Sequence, residues 1–216
     1  MVNSQPKDDR RPGRPTREQT ASIGKSVLVG ARRVFCELGY AAASMDQIAA
    51  AVGVSKLTIY RRFPSKEALL IAVVDHYLEQ LTVTADAKSE DGQSALDTLR
   101  ETTRALFEAS LEPEAILFGR LLVTEATKND KNEALRLRFA DWEYIARAPV
   151  RTRMVAAQRQ GQVVEGDPAV LTGILCDLID GLTKRRRLGL GDLVPIDPSS
   201  FFDERWGFFE RAAALP

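Results

Sequence analysis

Cationic and hydrogen-bonding side chains suited to reading a nucleic acid are concentrated in one short segment, residues 44–66. Within it, Lys56, Leu57 and Thr58 stand in the first turn of a predicted helix that begins at Ser55. A lysine ammonium can donate to the acceptors of guanine, a threonine hydroxyl can donate or accept, and a leucine can touch the thymine methyl group. These residue types at the start of one helix predict contact with base edges in the major groove of DNA.

Two short helices with a tight turn between them must position these side chains. Ser44 has capping-box spacing to a glutamine three residues later, and Gly53 can adopt the left-handed conformation that ends a helix. The second helix carries Ile59 and Phe63, four residues apart, on one apolar stripe, which leaves its cationic residues facing outwards. The pattern over residues 44–63 predicts a helix-turn-helix whose second helix is the recognition helix.

The helix-turn-helix and its surroundings resemble the TetR family of transcriptional regulators over about residues 20–80. The resemblance rests on helically spaced apolar residues upstream and on the segment after the turn, namely Val27, Ala31, Val34, Phe35 and Leu38, and Phe63-Pro-Ser-Lys-Glu-Ala-Leu-Leu70. It implies a three-helix DNA-binding domain joined by a long helix to a larger helical domain. It also implies phosphate contacts from Tyr60 and Lys66, whereas Leu57 stands where the family often has glycine. Part of the larger domain, from Leu121 to Val150, faintly resembles the AefR-like subgroup.

The candidate DNA contacts lie on the recognition helix, at its flanks and in the N-terminal arm. They are Arg14, Ser44, Lys56, Leu57, Thr58, Tyr60, Arg61 and Lys66. Residues 1–18 are polar and rich in Pro, Gly and Arg, which predicts a disordered basic arm. Its segment Arg10-Arg-Pro-Gly-Arg-Pro15 resembles arms that insert arginine into narrow minor grooves, with a solvated tail as the alternative.

The distribution of charge assigns DNA binding to one end of the chain. Residues 1–66 hold twelve Lys or Arg and five Asp or Glu, a net charge of +7. Residues 67–216 hold eighteen and twenty-five, a net charge of −7. The basic third will be attracted to the phosphates of DNA, whereas the acidic remainder will be repelled by them.

The remaining apolar periodicity is helical, so the predicted fold is all-α with about nine helices. The expected domains are a DNA-binding domain over residues 19–66 and an effector-binding and dimerisation domain over residues 67–216. After a fourth helix from Ser65 to about Leu81, helices are expected at Ser94–Ser110, Pro113–Lys128, Lys131–Gln160, Leu171–Arg187 and from Ser199. A break at Pro149 would divide the longest of these.

One histidine and several aromatic residues in the larger domain are candidates for contact with a small-molecule effector of unknown identity. They are His76, Phe107, Phe118, Trp142 and Tyr144. Aromatic residues at helical spacing are also typical of an ordinary core, which is the alternative for each of them.

The last predicted helix is too apolar for an exposed terminal segment, because five aromatic residues fall between Phe201 and Phe209. Left in water, such a patch would approach or exceed the roughly few hundred Å² that soluble monomers tolerate. Pairing it with a two-fold copy would bury both patches. The predicted dimer interface combines this helix with the apolar face of the preceding one, and its residues are Leu171, Leu175, Leu178, Phe202, Trp206 and Phe209.

Composition disfavours several other classes of protein and site. One histidine and two distant cysteines, Cys36 and Cys176, supply neither a catalytic triad nor a metal-ligand cluster, so no enzyme, cofactor or metal is expected. The absence of a secretory signal and of a long apolar run predicts a cytoplasmic protein without a membrane partner. The basic run Lys184–Arg187 is either a second DNA-binding patch or a set of cations that offset a helix dipole.

These patterns predict a DNA-binding transcriptional regulator. The leading hypothesis is a homodimeric repressor that binds a palindromic operator in double-stranded DNA and is released by a small-molecule effector. The alternative is a ligand-independent architectural or interaction protein that binds DNA.

Overall fold

A computed structural model of the chain describes residues 17–86, 93–128, 133–191 and 196–215. These residues form eleven helices, with one isolated β-bridge between Val163 and Ala214. The helices are α1 Arg17–Leu38, α2 Met45–Val52, α3 Lys56–Tyr60, α4 Lys66–Asp86, α5 Ala95–Leu111, α6 Pro113–Lys128, α7 Glu133–Ala146, α8 Ala148–Arg159, α9 Pro168–Ile179, α10 Gly181–Arg187 and α11 Pro198–Ala213. None of these helices is long and apolar enough to cross a membrane. The all-α prediction is confirmed.

Two of the expected helices are each divided in two, so the described residues contain eleven helices and not nine. The helix expected over Lys131–Gln160 is interrupted at Arg147, just before α8, which carries Pro149 in its first turn. Proline lacks the N–H that a continuous helix would use and clashes with the preceding turn. The second interruption is at Asp180 and precedes Gly181, a poor helix former against which the Phe201 ring packs.

The N-terminal helices enclose a core that continues into the larger domain. Its buried members come from α1 to α4 and from the segments that join them, together with Phe118 and Leu121 of α6 and Trp142 of α7. α1 packs directly against α2, α4 and α6. Because these side chains form one cluster, α6 and α7 pack on the same core as the helix-turn-helix.

A second core lies between α5, α8, α9 and α11. Leu175, Phe202, Trp206 and Phe209 are all buried in it within a single chain. The ring of Phe202 lies 5.6 Å from that of Phe107 on α5 and 6.3 Å from that of Trp206, measured between centroids. The apolar character of the last helix is therefore explained by packing inside the subunit.

This packing contradicts most of the expected dimer interface. Leu175, Phe202, Trp206 and Phe209 cannot pair with a second chain, because the subunit's own core already covers them. Leu171 and Leu178 are half-buried against the same core. Helical periodicity identified a buried face correctly but could not show whether the same chain or a second one buries it.

Candidate nucleic-acid interface and internal cavity

The turn between α2 and α3 is built from local capping contacts. The Ser44 hydroxyl accepts a hydrogen bond from the Gln47 N–H at 3.2 Å, and the Gln47 side chain accepts one from the Ser44 N–H at 2.8 Å. Gly53 has a φ of 73°, and the Ser55 hydroxyl accepts from the Thr58 N–H at 3.1 Å. The predicted helix-turn-helix is present, and these contacts assign Ser44 to capping α2.

The outward face of α3 presents a mixed apolar and cationic surface. Ile59 and Phe63 are buried beneath it, whereas Lys56, Leu57 and Tyr60 are exposed. The Leu57 side chain is 60% exposed, although leucine is ordinarily withdrawn from water. An exposed leucine at the start of this helix is placed to contact a thymine methyl group.

Two of the candidate base-reading side chains make contacts within the protein. The Lys56 ammonium lies 2.8 Å from the Asp46 carboxylate of α2, whose hydrogen bond and charge raise the pKa of Lys56. The Thr58 hydroxyl lies 2.8 Å from the Ser55 hydroxyl. An exposed ion pair contributes little to stability, so the acceptors of guanine can compete with Asp46 for Lys56.

Lys66 lies at the start of α4 and points back towards the turn between α1 and α2. Its ammonium donates to the carbonyl oxygens of Tyr40, Ala41 and Ala43 at 2.7, 3.2 and 2.9 Å. An ammonium has three N–H groups, and all three are used. These contacts favour a positioning role, in which Lys66 fixes the segment before α2. The phosphate contact that the resemblance implied stays a prediction.

The other candidate contacts differ in how far the structure describes them. The Arg61 side chain is exposed immediately after α3, beside Tyr60. The Arg62 guanidinium packs against Gly24 of α1, where a Cβ atom would overlap it. Arg14 and the arm around it lie outside the described residues, so a minor-groove contact stays a prediction.

An internal cavity of about 450 Å³ lies between α4, α5, α6, α7, α8, α9 and α10. Three of the expected effector residues, Phe107, Phe118 and Trp142, line it. The Trp142 ring is held by a hydrogen bond from its Nε1 to the Asp75 carboxylate at 3.1 Å, and Phe118 meets Tyr77 edge-on with ring centroids 5.3 Å apart. Small-molecule sites typically occupy about 300–1,000 Å³, so the cavity has a suitable size.

Two of the expected effector residues lie outside the cavity wall. His76 is mostly buried on α4, and its Nδ1 lies 3.6 Å from the Glu79 carboxylate one turn later. Tyr144 is 58% exposed, and the Arg151 guanidinium packs over its ring at 3.9 Å from the centroid. His76 and Tyr144 are not among the residues that line this cavity, so their effector roles stay predictions.

The charged residues that line the cavity were not predicted from the sequence. Asp180, Lys184 and Arg187 line it together with Arg147, and the Arg187 Nε is buried without a hydrogen-bond partner among the described residues. The signal was available in the sequence: these three charged positions follow Cys176 at spacings of four, four and three residues, which places them on one side of a helix.

Burial sets the ionisation of several groups around the two cores. It raises the pKa of the Asp180 carboxyl above its ordinary value, although three neighbouring cations oppose the shift. Burial also raises the pKa of the Cys176 thiol to about 12 and that of Cys36 to about 11. Both thiols are protonated at neutral pH, which disfavours a redox-sensing role because the thiolate is the reactive form.

The basic run at the end of α10 does not form one outward patch. Arg187 turns into the cavity, while Arg186 packs over Gly191 and its Nη1 lies 3.5 Å from the carbonyl oxygen of Leu111. The backbone carbonyl of Arg187 accepts from the Arg120 Nε at 2.8 Å. The arrangement favours the interpretation of the run as helix-terminal cations over that of a second DNA-binding patch.

Comparison with known proteins agrees with this geometry. Residues 27–73 match the model of the family described as bacterial regulatory proteins, tetR family. Over 177 residues, the chain is 28% identical to the HTH-type transcriptional repressor AcnR of Corynebacterium efficiens. The aligned residues cover 81% of this chain and 87% of that protein. Other relatives match over a shorter stretch, and this chain spans 37% of the length of one of them.

Solved structures share the fold over nearly the whole chain. A protein from Mesorhizobium loti described as a TetR-family transcriptional regulator superposes with a TM-score of 0.76 at 19% identity, covering 93% of this chain and all 100% of that one. The flavonoid-responsive regulator FrrA superposes with a TM-score of 0.68 at 25% identity, covering 90% of this chain and 98% of that one. With the helix-turn-helix at one end and a helical domain around a cavity at the other, the chain has the fold of these regulators, and its residues 27–73 are a DNA-binding segment of the tetR-family type.

Proposed function

We propose that this protein is a homodimeric repressor that leaves a palindromic DNA operator when a small molecule enters the cavity. The observation that carries the proposal is a wall shared by the cavity and the DNA-binding helices. Tyr77 lines the cavity, and the guanidinium of Arg32 on α1 lies 5.5 Å from the centroid of its ring. Arg32 also pairs with Glu114 at the start of α6, the helix that carries Phe118 into the cavity. A ligand that displaces Tyr77 or α6 therefore alters the seating of α1.

Packing supplies more of this coupling than the ion pair does. The Glu114 side chain is 73% exposed, so its pair with Arg32 contributes about 0–1 kcal/mol. An effector must shift DNA affinity by about 1–3 kcal/mol to act as a switch. The larger part must come from Phe118 and Leu121, which are buried in the same core as the helix-turn-helix.

A dimer fits the symmetry of a palindromic operator, because two recognition helices about 34–36 Å apart enter successive major grooves. The candidate interface is the outward face of α9 and α11, which pack side by side. Val170, Ile174 and Phe208 are 58%, 51% and 59% exposed on these helices. Large exposed apolar side chains close together mark an interaction surface. These three residues replace the buried positions that the sequence suggested.

The relatives support repression of transcription and its control by a small molecule. AcnR, which resembles this chain over most of its length, is a repressor. FrrA responds to flavonoids, which supports regulation by a small molecule in a protein of the same architecture.

The proposal is tested by measuring operator affinity together with ligand binding. An operator is first selected from a random DNA library, and compounds that raise the protein's melting temperature are identified separately. A stabilising compound should weaken operator binding by about 5-fold or more, whereas compounds that do not bind should leave it unchanged. If stabilising compounds leave operator affinity unchanged, or if none stabilises the protein, the ligand-independent alternative is favoured.

A further inference from the structure

The unusual group in the cavity is the guanidinium of Arg187. It reaches from the end of α10 across α6 at Gly119, where a Cβ atom would overlap its Nε. Arg187 is one of the residues that line the cavity, and its Nε is buried with no acceptor among the described residues. Leaving a buried charged donor unpaired is unfavourable, so an acceptor brought by a ligand would be bound strongly.

The other cations at this end already have anionic partners. Arg147 lies 2.9 Å from the Glu143 carboxylate and 3.0 Å from that of Asp177. Lys184 lies 3.8 Å from the same Asp177 carboxylate. Arg187 has no carboxylate within ion-pair distance in the described part of the chain, so it is the cation that an incoming anion would meet.

Asp180 lies beside these cations. It lines the cavity, and burial raises the pKa of its carboxyl, although Lys184, Arg147 and Arg187 act in the opposite direction. Burial therefore disfavours the charged form of this carboxyl.

Most of the other residues that line the cavity are apolar. Phe107, Phe118 and Trp142 line it with Leu78 and Val150. Such a wall stabilises a ligand body by about 25 cal/mol for each Å² of apolar surface removed from water. A ligand that complements both the Arg187 guanidinium and this apolar wall must be amphipathic.

We infer that the effector is an organic anion in which a carboxylate, bound by Arg187, is joined to a bulky apolar body packed against Phe107, Phe118 and Trp142. This inference rests on the proposed function, since it names the chemical class of the ligand of that same cavity. It assigns Arg187 as the residue that selects a carboxylate over a neutral or cationic head group.

The test uses matched probes that differ in the head group. Binding to the full-length protein is measured by calorimetry for decanoate, 1-decanol and decyltrimethylammonium, and for 4-biphenylacetate and 2-(4-biphenylyl)ethanol. At least one carboxylate should bind about tenfold or more tightly than its alcohol, and the ammonium compound should bind more weakly than either.

Two variants and one control separate the role of Arg187 from general charge. Arg187→Met should remove the preference for the carboxylate, whereas Arg185→Met, on the same helix but outside the cavity wall, should keep it. Gly119→Ala keeps the charge but displaces the guanidinium, and should also weaken carboxylate binding by roughly tenfold. Circular dichroism and operator binding establish that each variant is folded.

Several outcomes would overturn the inference: no carboxylate binds, the alcohol or the ammonium compound binds as tightly, or Arg187→Met keeps the preference. Operator affinity is measured in parallel, because it tests the proposed function separately. A carboxylate that binds through Arg187 without weakening operator binding upholds the ligand class and contradicts release from DNA. If only a neutral or cationic compound releases the protein from DNA, the proposed function is upheld and the ligand class is contradicted.

Discussion

Replacing Lys66 by methionine distinguishes a residue that positions the helix-turn-helix from one that binds DNA phosphates. The ammonium holds three carbonyl oxygens between Tyr40 and Ala43, and two of these hydrogen bonds are partly buried. A hydrogen bond to a charged group contributes about 1.5–3 kcal/mol, and the exposed third bond contributes less. We therefore expect Lys66→Met to lower the free energy of unfolding by about 2–4 kcal/mol.

The assay combines denaturant unfolding with the salt dependence of operator binding. A lost phosphate contact lowers the slope of log K against log salt by about 0.9, and a dimer would lose about 1.8. A positioning role predicts lower stability and weaker binding to all sequences with an unchanged slope. Lys25→Met, at an exposed position of α1, is the control for removing one positive charge and should leave stability nearly unchanged.

The opposite result would refute this assignment. If Lys66→Met kept the stability of the wild type and reduced the salt slope, Lys66 would bind phosphate. The hydrogen bonds to the segment before α2 would then be exchanged for DNA contacts in the complex.

Burial, charge and the exposed face of α3 lead to four further predictions. Trp206→Ala should destabilise the subunit itself by about 3–5 kcal/mol in denaturant unfolding, because the side chain is buried within one chain. Phe208→Asp should instead shift sedimentation towards monomer with little loss of subunit stability, and a mutant dimer as tight as wild type would exclude this face as the interface. Asp180→Asn should raise the melting temperature at neutral pH, because burial raises the pKa of Asp180 and the ionised carboxyl therefore destabilises the folded state as pH rises. The gain should vanish near pH 3, below the ordinary Asp pKa of about 3.9, where the carboxyl is protonated in both states. An equal gain at both pH values would contradict this prediction. Leu57→Ala should weaken binding to sites with a thymine at one position by about 1 kcal/mol in competition assays and leave other sites unaffected, whereas equal loss on all sites would exclude base contact.

The helix-turn-helix could be predicted from the sequence because its signals are local. Ser44 caps α2 by accepting from the N–H three residues later, and Gly53 ends the same helix, so both act within one turn of their own position. The partners of Lys66 were not predictable in this way. They are carbonyl groups 23 to 26 residues earlier in the chain, brought close by the packing of α1 against α4.

The cavity and the packing of α11 likewise depend on residues that are distant in sequence. Phe202 and Phe209 were expected to be buried, but their partners on α5 and α9 are distant in sequence, so the pattern could not show that the subunit itself covers them. A cavity depends on where several helices fail to meet. Phe118 and Trp142 were identified as candidates by residue type, and the same criterion included Tyr144, which lies outside the cavity wall and is exposed.

We propose that the outward face of α3 reads DNA as part of a two-fold symmetric dimer. This can be tested by selecting bound sequences from a random DNA library with the purified protein. We expect enrichment of an inverted repeat whose half-site centres lie about 34–36 Å apart or at a multiple of one helical turn. Enrichment of a single, unrepeated site, or recovery of DNA without any sequence preference, would contradict it.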